Sequence, residues 1–445
     1  MKIEKINIGK LFLITALIAL VLGLFFGLFA SLTYVIPDFL KQQIGFQSLR
    51  PLHVSLVMYW ILLGATGCVY YGLSSTSIAT IKKLALLQYT LWMLAIVGVC
   101  ISYFTQNFGG REYWEFNPIW ALPVAIAWVL FLINFFTIVA HIKNWPVYMW
   151  MWMTGILFFL FAFVENYLWL FPYFREHFIR DMTIQWKVNG SLVGAWNQLL
   201  YGTAFYLMDK ISGKKDTCTN KLAFAMYFLG LFNLMFNWGH HIYTLPSDIY
   251  IKYISYAVSM TEWVFFVKII YNWKTNISTI QKYYHYFPYR FLMAADIWVF
   301  INMGQAILMS IPAINIYTHG THITVAHAMG TTIGINSMIL LAACFMFIKF
   351  PKGEATMKIL NSLFWILQIS LALFWLALNG AGIKRGIWQL SLHQSNFSSM
   401  MDSLKPYFVV FVLAGFGILI SLVWIAIFLI KKAVINEMKS KQKYT

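Results

Sequence analysis

The chain has 445 residues, of which 60% are hydrophobic and only 11% are charged, and its mean hydropathy is +0.70. A soluble domain of this size could not bury so much apolar surface, so the composition excludes an ordinary soluble protein. The formal net charge is +17. Basic residues at the cytoplasmic ends of membrane spans, next to anionic lipid, account for this charge, and it gives no reason to invoke nucleic acid.

Apolar segments of about 20 residues, the length that a helix needs to cross a bilayer, recur along the whole chain. Helices also satisfy every backbone hydrogen bond inside the membrane. We therefore predict an all-α polytopic membrane protein with twelve transmembrane helices, and a single integral-membrane domain over residues 1–445. Lysines before the first span and after the last place both termini in the cytoplasm by the positive-inside rule. The predicted spans are 10–35, 51–77, 84–105, 118–141, 146–170, 186–208, 222–243, 250–272, 291–312, 322–348, 357–381 and 406–431.

Histidines mark the outer ends of three of these spans. His53 lies at the start of the second span, and the pair His240 and His241 closes the seventh span in FNWGHHIYTLP. His327 lies near the start of the tenth span, in VAHAMG, with Met329 two residues later. At about 1.5 Å per residue, all four histidines have a similar depth. Because such side chains are costly inside a membrane, their coincidence predicts a metal site shared by three helices.

The chemistry of these side chains narrows the prediction. Neutral imidazole binds iron, copper and zinc, and it is a common axial ligand of haem. Neighbouring residues on a helix point about 100° apart, so His240 and His241 reach one metal only if the helix end is distorted, as Gly239 favours. Residues two apart point in nearly opposite directions. His327 and Met329 are therefore candidate axial ligands for haems on opposite sides of one helix.

The four cysteines, Cys68, Cys100, Cys218 and Cys344, are far apart in the sequence. They form neither a disulfide framework nor the CxxCH motif to which haem is attached covalently. Any haem in this chain is therefore held noncovalently.

At these motifs the chain resembles the large catalytic subunit of cytochrome c-dependent nitric oxide reductase, in the haem-copper oxidase superfamily. The resemblance covers essentially the whole length and implies twelve helices around a pair of haems. The spacing between the matching blocks agrees as well. These blocks are PLHVSLVMYWILLGATGCVYYGL around His53, GGREYWEFNP around Glu112, NWGHHIYTLPSDIYIKYISYAVSMTEWVFF around His240 and Glu262, and YTHGTHITVAHAMG around His327.

The resemblance implies two haems b and a non-haem iron or another transition metal. His53 would be an axial ligand of a low-spin haem b, opposite Met329, and His327 would be the proximal ligand of a high-spin haem b. His240 and His241 would hold the non-haem metal facing that second haem. The implied partners are nitric oxide, a cytochrome c subunit or soluble electron donor, and the lipid of a bacterial cytoplasmic membrane.

Three acidic residues also match the family. Glu112 corresponds to a residue that binds a structural calcium near the haem propionates. Glu115 and Glu262 correspond to acidic residues that take part in proton supply, and Glu262 is therefore a candidate catalytic residue. The roles of His319 and His322 stay open between hydrogen bonds to propionates and hydrogen bonds to loop backbone.

The sequence departs from the family at four positions. The sixth span reads VNGSLVGAWNQ, with Asn189 where the family has a third metal-binding histidine and Val193 where it has a glutamate. Asn197 replaces a further glutamate, and Met329 replaces the second histidine of the low-spin haem. With an amide oxygen in place of an imidazole, and no carboxylate, the metal is expected to bind more weakly. Methionine opposite histidine is expected to raise the potential of the low-spin haem.

Three functions are compatible with these departures. The first is reduction of two NO to N2O and water at an altered dinuclear site, in which Asn189 belongs to the catalytic and metal-binding residues. The second is dismutation of NO to N2 and O2, because related dismutases also have asparagine for a metal-binding histidine. The third is a haem protein without turnover that senses NO or transfers electrons. Oxygen reduction is disfavoured, because many such enzymes need a tyrosine where Val193 stands.

Overall fold

The computed structural model describes residues 7–73, 79–214, 216–259, 263–350, 353–392 and 394–442. The described residues are predominantly helical, as the recurring apolar segments predict. The helices are α1 (Ile8–Leu32), α2 (Phe46–Gly72), α3 (Ala79–Phe104), α4 (Ala121–Val139), α5 (Val147–Glu165), α6 (Pro172–Arg175), α7 (Phe178–Ser212), α8 (Asp216–Thr219), α9 (Lys221–Phe236), α10 (Ile249–Ser259), α11 (Trp263–Asn276), α12 (Thr279–Tyr284), α13 (Tyr286–Ser310), α14 (Pro312–Thr318), α15 (His322–Met329), α16 (Met338–Phe347), α17 (Glu354–Leu390) and α18 (Phe397–Gln442).

Ten helical segments within the described ranges are long and apolar enough to cross a membrane. Each overlaps one of the twelve predicted spans. The remaining two predictions, 186–208 and 250–272, fall on α7 and on α10 with α11, and they stay predictions. The ten segments are Ile8–Leu32, Phe46–Gly72, Lys82–Phe104, Pro118–Val139, Val147–Leu170, Lys221–Ile242, Tyr286–Ser310, His322–Phe347, Glu354–Leu390 and Phe397–Ile435.

One connection departs from the all-helical prediction. Strand β1 (Phe108–Arg111) pairs with strand β2 (Trp114–Phe116) in an antiparallel hairpin. Tyr113, at the tight turn, has a φ of 70°, a left-handed conformation that non-glycine residues rarely adopt. The hairpin matters here because it carries Glu112 and Glu115.

The first compact unit contains the chain up to Leu13 together with Ile61–Leu292. Its α5 and α7 pack closely, because a Cβ at Gly155 would lie only 2.8 Å from the carbonyl oxygen of Ala195. Buried Trp152 donates from Nε1 to Oγ1 of Thr203 at 3.3 Å. Helix α7 also contacts the turn that follows α9, and this contact positions the histidine pair.

The second compact unit contains Ile14–Trp60 and the chain from Met293 onward. Here α17 packs along both α15 and α18. Buried Gln305 of α13 donates from Nε2 to Oδ1 of Asn379 at 2.7 Å, and Trp375 donates from Nε1 to Oε1 of Gln305 at 3.0 Å. Side-chain hydrogen bonds between helices of this kind stabilise packing inside a membrane. They fix the surroundings of the helix that carries His327.

Candidate functional site

The histidine pair lies on a distorted helix end. Helix α9 ends at Phe236, and a 3-10 helix over Asn237–Ile242 continues the chain. The ring centres of His240 and His241 are 4.3 Å apart, and the two ring planes differ by 31°. A regular helix would separate the two side chains by about 100°. Successive residues of a 3-10 helix are about 120° apart, so helix type alone does not explain the contact. The two half-buried imidazoles nevertheless lie side by side, so they could offer nitrogen donors to one centre.

Helix α10 holds this turn in place through Gly239. A Cβ at Gly239 would lie 2.9 Å from Cβ of Ser255 and 3.0 Å from Cγ2 of Ile251, so only glycine fits. Ser255 donates from Oγ to the carbonyl oxygen of Asn237 at 2.5 Å. Glycine is needed at position 239 because α10 approaches the turn closely. The sequence alone does not show this contact.

Helix α7 contacts the same turn from another side. A Cβ at Gly190 would lie 2.7 Å from both Cδ2 and Nε2 of His241, so the imidazole packs directly on the helix backbone. Lys187 forms an ion pair with Glu165 at 2.5 Å, and its Nζ lies 5.4 Å from the ring centre of Trp238. Residues 187–190 of α7 and 238–241 of the turn therefore form one contact region.

Asn189, the family's histidine position, lies within this contact region. Its Oδ1 is buried and has no hydrogen-bond donor among the described residues. Val193 is half-buried one turn farther along α7. A buried acceptor without a donor costs about 1 to 3 kcal/mol, so this oxygen needs a partner such as a cation or water. Asn189 precedes the glycine on which His241 packs, and an amide oxygen that lacks a donor could serve as a weak metal ligand.

A denser ligand set is not found in the part of the chain that the structure describes. No group of three or more His, Cys, Asp or Glu side chains in it could hold a metal ion. Asn197, at the position of a further family glutamate, also has a buried Oδ1 without a donor there. Glu262, the predicted catalytic residue, lies outside the described residues.

In the second unit, His53 of α2 is oriented by a backbone hydrogen bond. Its Nδ1 lies 2.8 Å from the carbonyl oxygen of Gly23. Because a carbonyl oxygen only accepts, Nδ1 carries the proton, and the lone pair of Nε2 is left for a ligand. An imidazole held in this way is the usual arrangement of a metal-binding histidine. His53 therefore fits the axial role that the resemblance implies.

His327 and Met329 are both half-buried on α15, which is regular up to Met329. Two residues apart on a regular helix, they leave it in directions about 200° apart, as the sequence predicts. The carbonyl oxygen of His327 accepts from Oγ1 of Thr331 at 3.2 Å, and this hydroxyl accepts from Nδ2 of Asn302 at 2.7 Å. These two hydrogen bonds connect Asn302 of α13 to the backbone of His327 through Thr331.

Directly after Met329 the helix widens into a π-helix over Gly330–Ser337. Gly334 allows the ring of Trp298 to approach, and Trp60 donates from Nε1 to Oγ of Ser337 at 2.9 Å. Segments of π-helix are rare and frequently lie at functional sites. Its position beside the two predicted haem ligands agrees with that tendency, although no pattern in the sequence indicates it.

The hairpin that carries Glu112 and Glu115 is attached to α7. Arg111 donates to both carboxylate oxygens of Asp181, at 2.6 and 3.3 Å, and its guanidinium lies 4.5 Å from the ring centre of Trp169. Such bidentate pairs are geometrically specific. Glu112 and Glu115 are both half-buried and belong to this anchored hairpin.

The ring of His322 lies among aromatic side chains. The ring centre of His322 is 5.2 Å from that of Phe408 and 6.1 Å from that of Tyr34. Burial raises the pKa of Tyr34, an effect that the charges of Arg50 and Arg385 oppose. Burial lowers the pKa of His319. His319 therefore favours its neutral form.

Comparison with known proteins agrees with this fold. Residues 7–417 match the family model described as cytochrome C and quinol oxidase polypeptide I. The chain therefore belongs to the haem-copper oxidase subunit I family, whose members are membrane oxidoreductases that bind haems and a further metal. It is a multi-pass membrane protein of that type.

Individual relatives are distant and include both reductases and oxidases. A nitric oxide reductase subunit of Stutzerimonas stutzeri is 25% identical over 95% of this chain and 94% of its own length. Cytochrome c oxidase subunit 1 of Rhodobacter capsulatus is 22% identical over 85% and 75%. The cbb3-type subunit CcoN1 of Stutzerimonas stutzeri is 22% identical over 89% and 88%. A solved heme-copper terminal oxidase dimer has a TM-score of 0.72 at 13% identity, over 97% of this chain and 84% of that chain.

Proposed function

We propose that the protein is a nitric oxide reductase-like enzyme, which converts two NO, two protons and two electrons into N2O and water. The proposal rests on the residues of α7 that lie beside the histidine turn. This part of α7 offers the amide of Asn189 and the alkyl side chain of Val193, and it has no tyrosine one turn after the position of the third ligand. The similarity to a nitric oxide reductase subunit over 95% of the chain supports the same choice.

In this proposal His53 and Met329 hold a low-spin haem b, and His327 holds a high-spin haem b. His240, His241 and the amide oxygen of Asn189 hold a non-haem iron or another transition metal. When bound, these groups supply the redox centres at which NO is reduced. The protein's own contribution is to orient the His53 imidazole through its bond to Gly23, and to fix the helix backbone at His327 through Thr331 and Asn302.

Protein side chains must also supply two protons for each turnover. We assign this task to Glu115 and Glu262, and a structural calcium to Glu112. Val193 replaces a carboxylate beside the metal, so the last proton acceptor near the substrate is missing from α7. Slow turnover is the expected consequence, because proton delivery then depends on water or on more distant carboxylates.

Electrons require a partner, because the chain has no CxxCH motif. We propose a cytochrome c subunit or a soluble donor on the outer side of a bacterial cytoplasmic membrane. His53 and Met329 would hold the haem that accepts these electrons. The thioether of Met329 is expected to raise the reduction potential of this haem relative to ligation by two histidines. A higher potential makes electron transfer from this haem to the catalytic centre less favourable.

Dismutation of two NO to N2 and O2 is the second candidate, and Asn189 favours it. An asparagine in place of a metal-binding histidine, without the nearby glutamate, is also the pattern of related dismutases. The reaction needs no net electrons, which suits an electron-entry haem with altered ligation. A haem protein without turnover is the outcome if the site no longer holds a metal.

The experiment supplies NO anaerobically to purified protein whose haem and metal content has been measured. With an electron donor, N2O formation supports the first function; without a donor, N2 and O2 together support dismutation. The variant His240→Ala tests whether the products come from the histidine pair. Absence of every product from protein that holds two haems and a third metal would contradict both reactions.

A further inference from the structure

Two glycines of α1 form a seat for the imidazole of His53. Gly23 and Gly27 are four residues apart, so they lie on the same face of the helix. The carbonyl oxygen of Gly23 bonds to Nδ1 of His53 at 2.8 Å. A Cβ at Gly27 would meet Nδ1 of the ring, and it would lie 2.6 Å from Cε1 and 3.1 Å from Cγ. The ring therefore occupies the space that any other side chain at position 27 would fill.

We propose that Gly27 is a positioning residue for the haem ligand His53, because its missing side chain exposes the Gly23 carbonyl oxygen and sets the ring position. The inference rests on the proposed role of His53 as an axial ligand. In a helix, the carbonyl oxygen of one residue points toward the residue four positions later, so a side chain at 27 would shield it. Without that side chain, one oxygen accepts from the helix and from His53 together.

The seat explains how the ligand is prepared before a haem binds. The bond to Gly23 fixes the proton on Nδ1, and the contact with Gly27 limits rotation of the ring. A side chain that binds a cofactor must be held within about 0.5 Å of its binding position. A methyl group at position 27 would have to displace the ring by a comparable distance or more, since ordinary contacts begin at about 3.4 Å.

The other glycine of the pair has a different role, and this difference supplies a comparison. A Cβ at Gly23 would lie 3.1 Å from Cγ2 of Val57 and 3.2 Å from Cβ of Leu56, and no atom of the His53 ring would lie closer to it than 3.3 Å. Gly23→Ala keeps the carbonyl oxygen and requires the neighbours to move by a few tenths of an ångström. Its effect on the ligand should be smaller than that of Gly27→Ala.

The test compares Gly27→Ala with Gly415→Ala, a helix glycine whose added Cβ would meet only ordinary contacts at 3.8 Å. Haem content, the optical spectrum and the paramagnetic resonance spectrum are measured on purified protein. We expect Gly27→Ala to lose the low-spin signal and about half of the haem, while the high-spin signal remains. We expect Gly415→Ala to match the parent protein. An unchanged low-spin signal in Gly27→Ala would overturn the inference.

A second measurement covers the case in which Gly27→Ala does not fold. In the background of His53→Ala the ring is absent, so the added methyl group at position 27 has space. The double variant should then fold with the thermal stability of His53→Ala alone, and a double variant that still fails to fold would overturn the inference. Parent protein with a low-spin haem but no reaction with NO would contradict the proposed function and leave this inference intact.

Discussion

The imidazole of His241 packs on the backbone of Gly190, so that its Nε2 would lie only 2.7 Å from a Cβ at that position. Asn189 is the preceding residue, and its buried Oδ1 has no donor within the described part of the chain. The position where the family has a third metal ligand is therefore next to the surviving pair. In the proposed metal site, Asn189 and Val193 stand on α7 where the family has two further ligands, an imidazole and a carboxylate.

Asn189→His should strengthen metal binding. A third imidazole replaces a neutral amide oxygen, and we expect the affinity for iron or zinc to rise by about one to two orders of magnitude. Metal content after dialysis against a graded chelator checks this. Asn197→His, two turns farther along α7, is the control and should leave metal retention unchanged. Equal retention in parent protein and Asn189→His would contradict the proposed ligand position.

Asn189→Leu should separate stability from metal binding. In metal-free protein the substitution removes a buried acceptor that has no donor, so we expect unfolding to cost about 1 kcal/mol more. Metal added to the variant should then stabilise it less than it stabilises the parent protein. Thermal unfolding with and without metal checks both effects. A variant that is destabilised without metal would show that Oδ1 has a structural partner.

Met329→His should lower the midpoint potential of the low-spin haem, because bis-histidine ligation favours ferric iron more than His/Met ligation does. Axial ligands as a class tune haem potentials over about 0.8 V, so the change should be readily measurable. Spectroelectrochemical titration checks the potential, and Met329→Leu is the control that removes the thioether without adding an imidazole. An unchanged haem spectrum in both variants would refute Met329 as a ligand.

Ser255→Ala should loosen the histidine turn. It removes the bond from Oγ to the carbonyl oxygen of Asn237, and we expect a loss of about 1 kcal/mol in unfolding free energy with lower metal content. Ser259→Ala is a matched control, because the Ser259 hydroxyl bonds within α10 itself, to the carbonyl oxygen of Ser255 at 2.8 Å. Equal metal content in the two variants would show that the tether does not orient the pair.

Arg111→Lys should weaken the link between the hairpin and α7. Lysine keeps the charge but cannot form the two-pronged pair with Asp181 or stack as well on Trp169. We expect a loss of about 1 to 2 kcal/mol, since hydrogen bonds to charged groups are worth roughly that much where they are partly buried. Chemical unfolding checks the stability, and exposed Arg175→Lys is the control. Similar losses in both variants would contradict a specific anchor.

Some local features of the candidate site can be predicted from the sequence, whereas the matched depth of its histidines stays a prediction. The glycine before His240 also indicates a distorted helix end, and the 3-10 helix over Asn237–Ile242 has that geometry. The opposite directions predicted for the side chains of His327 and Met329 are also a local feature, because α15 is regular up to Met329. These features depend on neighbours in the chain, which a single sequence displays.

The features that the sequence does not reveal depend on residues far apart in the chain. The ion pair of Lys187 with Glu165 joins α7 to α5, and the bond of His53 to Gly23 joins α2 to α1. The four-residue spacing of Gly23 and Gly27 is a visible signal for close packing, but it does not name the partner. The π-helix over Gly330–Ser337 has no signature at all in the apolar periodicity.

The most direct test of the central claim is a gas-product measurement on purified protein with two haems and a loaded metal site. Isotopically labelled NO is supplied without oxygen, together with a chemically reduced electron donor, and products are followed by mass spectrometry. Our account predicts labelled N2O whose rate falls at least about tenfold in His240→Ala, since one of two imidazole ligands is lost. Labelled N2 with O2, or no product from fully loaded protein, would contradict it.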